Sequence, residues 1–162
     1  MKIYGLVQDS IVDGPGFRFV CFTQGCPHHC PGCHNPDSHA PHGGTEMTSD
    51  EIITQMRSNP LTDGLTLSGG EPFMQAEDCL VLARAAHASG LNVWAYSGWT
   101  FDDLMNGTAA QQALLRELDV LVDGPFMLDE RSLTLNWRGS RNQRVIDVQK
   151  TLTAGEIVLY CD

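Results

Sequence analysis

Cys26, Cys30 and Cys33 put three thiols within eight residues, in the spacing Cys26-x3-Cys30-x2-Cys33. Thiolates are soft donors, and three presented from one short loop suit an iron–sulfur cluster or a zinc ion. A four-iron cluster ordinarily takes four cysteines. With three in the loop and no obvious fourth, one iron is left open to an exogenous ligand, which turns an electron carrier into a reaction centre. Zinc is the alternative on the loop alone, because His28, His29 and His34 share the stretch and can complete a four-ligand site. Cys21, Cys79 and Cys161 lie apart in apolar surroundings and read as small core hydrophobes or inert thiols. His39 and His42 read as exposed loop histidines, and His87 as a surface or satisfied helix histidine.

The second chemical feature is Gly69-Gly70-Glu71-Pro72, directly after the β-prone Leu65-Thr66-Leu67-Ser68. A turn at the C-terminal end of a parallel strand is where α/β proteins hold ligands. Two glycines let backbone carbonyls approach a ligand closely. Alone, the turn is also an ordinary strand-to-helix connection; beside a three-thiol loop it becomes part of a site.

These residues need a scaffold, and the flanking patterns supply one. Segment 18–23 is β-branched and aromatic, follows the turn signal Asp13-Gly14-Pro15-Gly16, and reads as a first strand running into the cysteine loop. Thr48-Ser49-Asp50-Glu51 forms a capping box before Ile52, Ile53 and Met56, so a helix follows and ends by Asn59-Pro60. Segment 65–68 is a second strand, 76–89 a helix stopped by Gly90, and 91–96 a third strand. Thr100 with Asp103 opens a short helix, 109–118 supplies another, and 120–122, 144–147 and 156–160 read as further strands. The stretch 123–142 is loop-like. Alternation of this kind indicates α/β with a mainly parallel sheet of about five or six strands. A closed eight-fold barrel normally needs at least about 200 residues, so an open partial barrel fits better.

The whole chain of 162 residues, 42% hydrophobic and 19% charged, suits a single domain over 1–162. A net charge of −10 argues against a protein that wraps phosphate backbones. No apolar run approaches the roughly 18–20 residues of a membrane span, and the first ten residues do not form a signal peptide, so a cytoplasmic location is expected. The acidity is uneven. Residues 1–130 hold five cations against seventeen anions, net −12, whereas 131–162 hold five against three, net +2. A solvated surface explains such a segment, as does a preference for an anion.

Cys26-x3-Cys30-x2-Cys33 together with Gly69-Gly70-Glu71-Pro72 resembles the radical S-adenosylmethionine (SAM) superfamily. Asp13-Gly14-Pro15-Gly16-Phe17-Arg18 and Cys33-His34-Asn35 narrow the resemblance to the glycyl-radical-enzyme activases. Trp137-Arg138-Gly139-Ser140-Arg141-Asn142-Gln143-Arg144-Val145-Ile146-Asp147 is similar to the activating proteins of anaerobic ribonucleoside-triphosphate reductase, and the likeness runs over about residues 2–148. The short length agrees, since several other activases carry an inserted cysteine-rich segment.

The resemblance implies an open partial (β/α) barrel in which Cys26, Cys30 and Cys33 ligate three irons of a 4Fe-4S cluster and SAM chelates the fourth. An electron from a flavodoxin- or ferredoxin-type donor then cleaves SAM to methionine and a 5′-deoxyadenosyl radical, which takes hydrogen from a glycine of the reductase. No side chain is implied as catalytic acid or base. Gly69, Gly70 and Glu71 match the turn that holds the methionyl amino group. Gly32 and His34, beside Cys33, match positions near the adenosine, and Ser97 matches a ribose contact. Of Arg138, Arg141 and Arg144, one is expected to face the SAM carboxylate and others the partner; Trp137 is an interface anchor or a core aromatic. The alternatives are the same chemistry on another glycyl radical enzyme or peptide, and a non-catalytic zinc-binding interaction module.

Overall fold

The computed structural model describes residues 1–161. Eight strands, β1 (Lys2–Ser10), β2 (Arg18–Thr23), β3 (Thr45–Glu46), β4 (Gly64–Gly69), β5 (Asn92–Tyr96), β6 (Val120–Asp123), β7 (Arg144–Asp147) and β8 (Leu159–Cys161), form one sheet in the order β3-β1-β2-β4-β5-β6-β7-β8. Five helices accompany them: α1 (Ser49–Arg57), α2 (Ala76–Ala88), α3 (Phe101–Met105), α4 (Ala109–Glu117) and α5 (Val148–Ala154).

The mixed α/β class agrees with the sequence pattern, but the sheet corrects two details. It has eight strands among the described residues, more than expected, and it is only partly parallel. β2, β4, β5 and β6 run parallel, whereas β1, β3, β7 and β8 each join antiparallel. β1 escaped notice because only Ile3 and Ser10 of its nine residues are buried, so no alternation marks it. The two-residue β3 carries no signal of its own. α5 was also unforeseen, although Asp147 caps it by accepting from the Lys150 N–H and Gly155 ends it in the left-handed region at φ 75°.

Strand alternation divides the interior. Phe19, Cys21, Leu65, Leu67, Val93, Ala95, Leu121 and Ile146 point to the face that α1, α2, α4 and α5 cover. Trp94, Val120, Val122 and Val145 point the other way and are closed over by Trp137 from the loop between β6 and β7. Because both faces are covered, Gly64 to Leu67 of β4 are all buried, the polar Thr66 included, and β6 reads as an apolar run up to Asp123. Capping boxes start three helices, at Thr48 with Glu51, Thr100 with Asp103, and Thr108 with Gln111. No helix among the described residues is long and apolar enough to cross a membrane.

Arg18 sits fully buried on the loop-covered face. Its guanidinium donates to Thr66 Oγ1 (2.7 Å), the Leu65 carbonyl (2.9 Å), Asn92 Oδ1 (2.7 Å) and the Pro15 carbonyl (3.0 Å), and lies 5.5 Å from the Trp94 ring centre. Burial lowers its pKa to about 10. Thr66 Oγ1 in turn donates to the Asp13 carbonyl at 2.8 Å. The Asp13-Gly14-Pro15-Gly16 turn is thereby fastened to the sheet near the first residues of β2, β4 and β5.

Candidate functional site

Four parallel strands end together, and the connections that follow β2, β4, β5 and β6 gather at that edge. The long loop after β2 doubles back: Gly25 N–H donates to the Ser38 carbonyl (2.6 Å) and Cys26 N–H to that of His39 (3.1 Å). Cys33 N–H closes a turn onto the Cys30 carbonyl at 3.1 Å, with Gly32 at φ 74°. The outcome is that Cys26, Cys30 and Cys33 line one cavity of about 120 Å³ together with Gly69, Gly70, Ser97 and Gly98. A second cleft of about 400 Å³ adjoins it, sharing Cys33, Gly69 and Tyr96 and extending to His34, Trp137 and Arg138.

Burial raises the pKa of the Cys26 and Cys30 thiols. A soft cation in the cavity would supply the charge that stabilises them as thiolates. Three thiols facing one concavity fit an iron–sulfur cluster as a donor set. Of the histidines of the zinc alternative, His28 lines the cavity with its Nε2 engaged by Glu71, His29 packs 5.3 Å from His39, and His34 packs 5.3 Å from Phe126. Among the described residues no three His, Cys, Asp or Glu side chains converge on a single-ion site. His39, which sequence reading placed in a plain exposed loop, lies with Nε2 3.3 Å from Cys33 Sγ and lines the cavity. Only the pairing of 25–26 with 38–39 brings it there.

The glycines join the walls. At Gly69 (φ 108°) a Cβ would collide with the Thr23 backbone, and at Gly70 with the Gly25 carbonyl. Their absence lets Gly70 N–H reach the Thr23 carbonyl (2.9 Å) and Glu71 N–H that of Gly25 (2.8 Å), so the end of β4 lies flush against the start of the cysteine loop. Glu71 is fully buried, and its carboxylate is enclosed. Oε1 contacts His28 Nε2 (2.6 Å) and accepts from Ser97 Oγ (2.9 Å) and Gly98 N–H (2.8 Å), while Oε2 accepts from Phe73 N–H (3.1 Å). His28 packs edge-on to Trp99, with ring centres 4.9 Å apart. Sequence reading found Glu71 and Ser97 but not that they bond each other, nor that His28 completes the group.

Gly32 faces Leu128, and His34 sits under Phe126, so the β6–β7 loop covers the cysteine loop from one side. The arginines separate by position. Arg144 is an ion pair with buried Asp123, at 2.6 and 3.1 Å, which raises the pKa of its guanidinium. Arg141 is exposed, and Arg138 lines the cleft.

Trp137 is half-buried: it lines the second cleft and packs with its ring 5.1 Å from Trp94 and 6.1 Å from Tyr160. Its backbone takes φ 60°, an uncommon value for a side chain of this size.

A family described as a 4Fe-4S single cluster domain matches residues 12–146. The anaerobic ribonucleoside-triphosphate reductase-activating protein of Salmonella typhi is 38% identical over 153 residues, covering 90% of this chain and 97% of its own length. That of Escherichia coli (strain K12) is 37% identical over 144 residues, covering 84% and 92%. The phage T4 protein of the same name is 33% identical over 144 residues, covering 84% and 87%. Identity at this level over nearly the full length of each relative shows that the chain belongs to the anaerobic ribonucleoside-triphosphate reductase-activating proteins, a family with a 4Fe-4S cluster domain.

Proposed function

We propose that this chain is a cytoplasmic activase that reductively cleaves SAM at a 4Fe-4S cluster and generates a glycyl radical on anaerobic ribonucleoside-triphosphate reductase. The observation that carries the reading is one cavity lined both by Cys26, Cys30 and Cys33 and by Gly69 and Gly70 of the turn. The cluster, when bound, supplies the electron that breaks a carbon–sulfur bond of SAM and releases the 5′-deoxyadenosyl radical. Cys26, Cys30 and Cys33 would hold it and would leave one iron for the amino and carboxylate groups of SAM. The Gly69 and Gly70 carbonyls accept from the methionyl amino group.

Gly32 and His34 bound the adenosine side. The Ser97 hydroxyl donates to Glu71 and accepts from Trp99 N–H at 3.0 Å, so one lone pair is left to accept a ribose hydroxyl. The cavity holds no side chain that must move a proton for this chemistry. The partner follows from the names of the relatives. A flavodoxin- or ferredoxin-type protein is the electron donor. The sheet, with β3 and β8 as its two outer strands, would act as an open partial barrel of the radical SAM type, its open side admitting a polypeptide loop of the reductase.

The test is anaerobic reconstitution, followed by metal analysis and by assay of 5′-deoxyadenosine with reductant and SAM. About four irons per chain are expected. Cys26→Ala, Cys30→Ala and Cys33→Ala should each lose cluster and product, while Cys21→Ala and Cys79→Ala keep both. Stoichiometric zinc without iron, or loss of cluster in a well-folded Cys79→Ala protein, would overturn the reading.

A further inference from the structure

We propose that the Nε2–H of His39 donates to the Cys33 thiolate and raises the reduction potential of the cluster that this sulfur would ligate. The inference rests on the reading that Cys33 is a cluster ligand, and it gives a part in electron entry to a histidine outside the thiol motif.

The contact itself comes first. His39 lines the thiol cavity, and its Nε2 lies 3.3 Å from Cys33 Sγ. An iron-bound thiolate has no proton to give, so the histidine is the donor and Nε2 carries the hydrogen. Among the described residues His39 is the only side chain in hydrogen-bond contact with Cys26, Cys30 or Cys33. Two donors sharing one bare ion could also lie this close. Among the described residues, however, no three His, Cys, Asp or Glu side chains converge on an ion, so the pair is not part of a single-ion site.

The histidine is also held in place. Its carbonyl accepts from Cys26 N–H at 3.1 Å, and its own N–H donates to the Pro36 carbonyl at 3.3 Å. The preceding Ser38 is fully buried; its Oγ donates to the Asn35 carbonyl at 2.6 Å and its carbonyl accepts from Gly25 N–H at 2.6 Å. His29 packs edge-on against the His39 ring, with centres 5.3 Å apart and planes at 88°. The return of the loop that fixes the backbone of Cys26 therefore aims the imidazole at Cys33.

A hydrogen bond to a ligating sulfur draws electron density from it. Reduction adds negative charge, so the bond favours the reduced cluster over the oxidised one and the potential rises.

The experiment is a redox titration of the reconstituted protein without SAM, followed by electron paramagnetic resonance, with iron measured on each preparation. The unmodified chain is compared with His39→Phe, His39→Gln and His42→Phe. Phe keeps a ring against His29 but removes the donor, whereas Gln restores an N–H. At a fixed applied potential, His39→Phe should hold about three- to tenfold less reduced relative to oxidised cluster, a fall of about 30–60 mV for one electron. His39→Gln should recover part of the difference, and His42→Phe, altered at an exposed position, should titrate as the unmodified protein does. With isotopically labelled histidine, the reduced cluster should show a weak nitrogen coupling that His39→Gln lacks.

An unchanged or raised potential in His39→Phe overturns the inference, as does a His39→Gln protein that titrates like His39→Phe. A strong nitrogen coupling, or loss of iron from both variants, would make His39 a ligand and overturn it equally. Should only His39→Phe lose iron, His39→Gln carries the comparison, and survival of the labelled-nitrogen coupling in that variant counts against the assignment. If the unmodified protein takes up no iron, the functional reading fails first.

Discussion

At the scale of single residues, Glu71 fastens three segments to one another. Its carboxylate receives His28 from the cysteine loop, Ser97 and Gly98 from the end of β5, and the Phe73 N–H from its own turn. With the side chain so enclosed, only its backbone is left to face a ligand. Replacing it by Leu would leave the Gly98 and Phe73 N–H groups and the Ser97 hydroxyl buried without acceptors. Glu71→Leu should therefore cost at least about 2 kcal/mol in denaturant unfolding. Cluster content should fall in the same protein. Unchanged stability would show that the enclosed carboxylate is not what holds these segments together.

At the scale of elements, His87 joins α2 to the end of α4 and the approach to β6. Nδ1 lies 2.9 Å from Glu117 and Nε2 2.9 Å from Asp119, which also accepts from the Val93 N–H of β5 at 2.8 Å. Burial alone would lower the pKa of His87, but the bonds to Asp119 and Glu117 outweigh it, and the pKa is raised. The folded protein then binds this proton more tightly than the unfolded chain. Its contribution is fully present below the ordinary value of about 6.5 and is lost as pH rises through the raised folded value. His87→Gln should lower Tm more at about pH 6 than at about pH 9, by a few degrees at most because solvent screens the pair. An equal loss at both pH values would leave packing as its only role.

At the scale of the whole molecule, the net charge of −10 is broken by the basic stretch that includes the β6–β7 loop. Two of its five cations are committed elsewhere, Arg144 to Asp123 and Arg138 to the cleft, which leaves Lys150 exposed on α5 and Arg131 and Arg141 exposed on the β6–β7 loop. If the reductase approaches there, Arg141→Glu should reduce its activation several-fold at low ionic strength, with the gap closing as salt is added. SAM cleavage without the reductase should stay unchanged in the same preparation. A deficit that salt does not alter would remove charge as the reason.

Short-range signals determined a good part of this in the sequence itself. The thiol spacing, the Gly69-Gly70 turn, the capping boxes at Thr48 and Thr100, and the apolar run of β6 depend on neighbours a few residues apart, where propensity and hydrogen-bond geometry act locally. Tertiary structure alone decided that His28 bonds Glu71, 43 residues away, that His39 turns toward Cys33, and that Arg144 pairs with Asp123 while Arg138 borders the cleft. It also decided that the residues of β1, mostly unburied, pair with β2. Each of these outcomes follows from desolvation and pairing between distant segments, and such terms exist only once the chain has closed those distances.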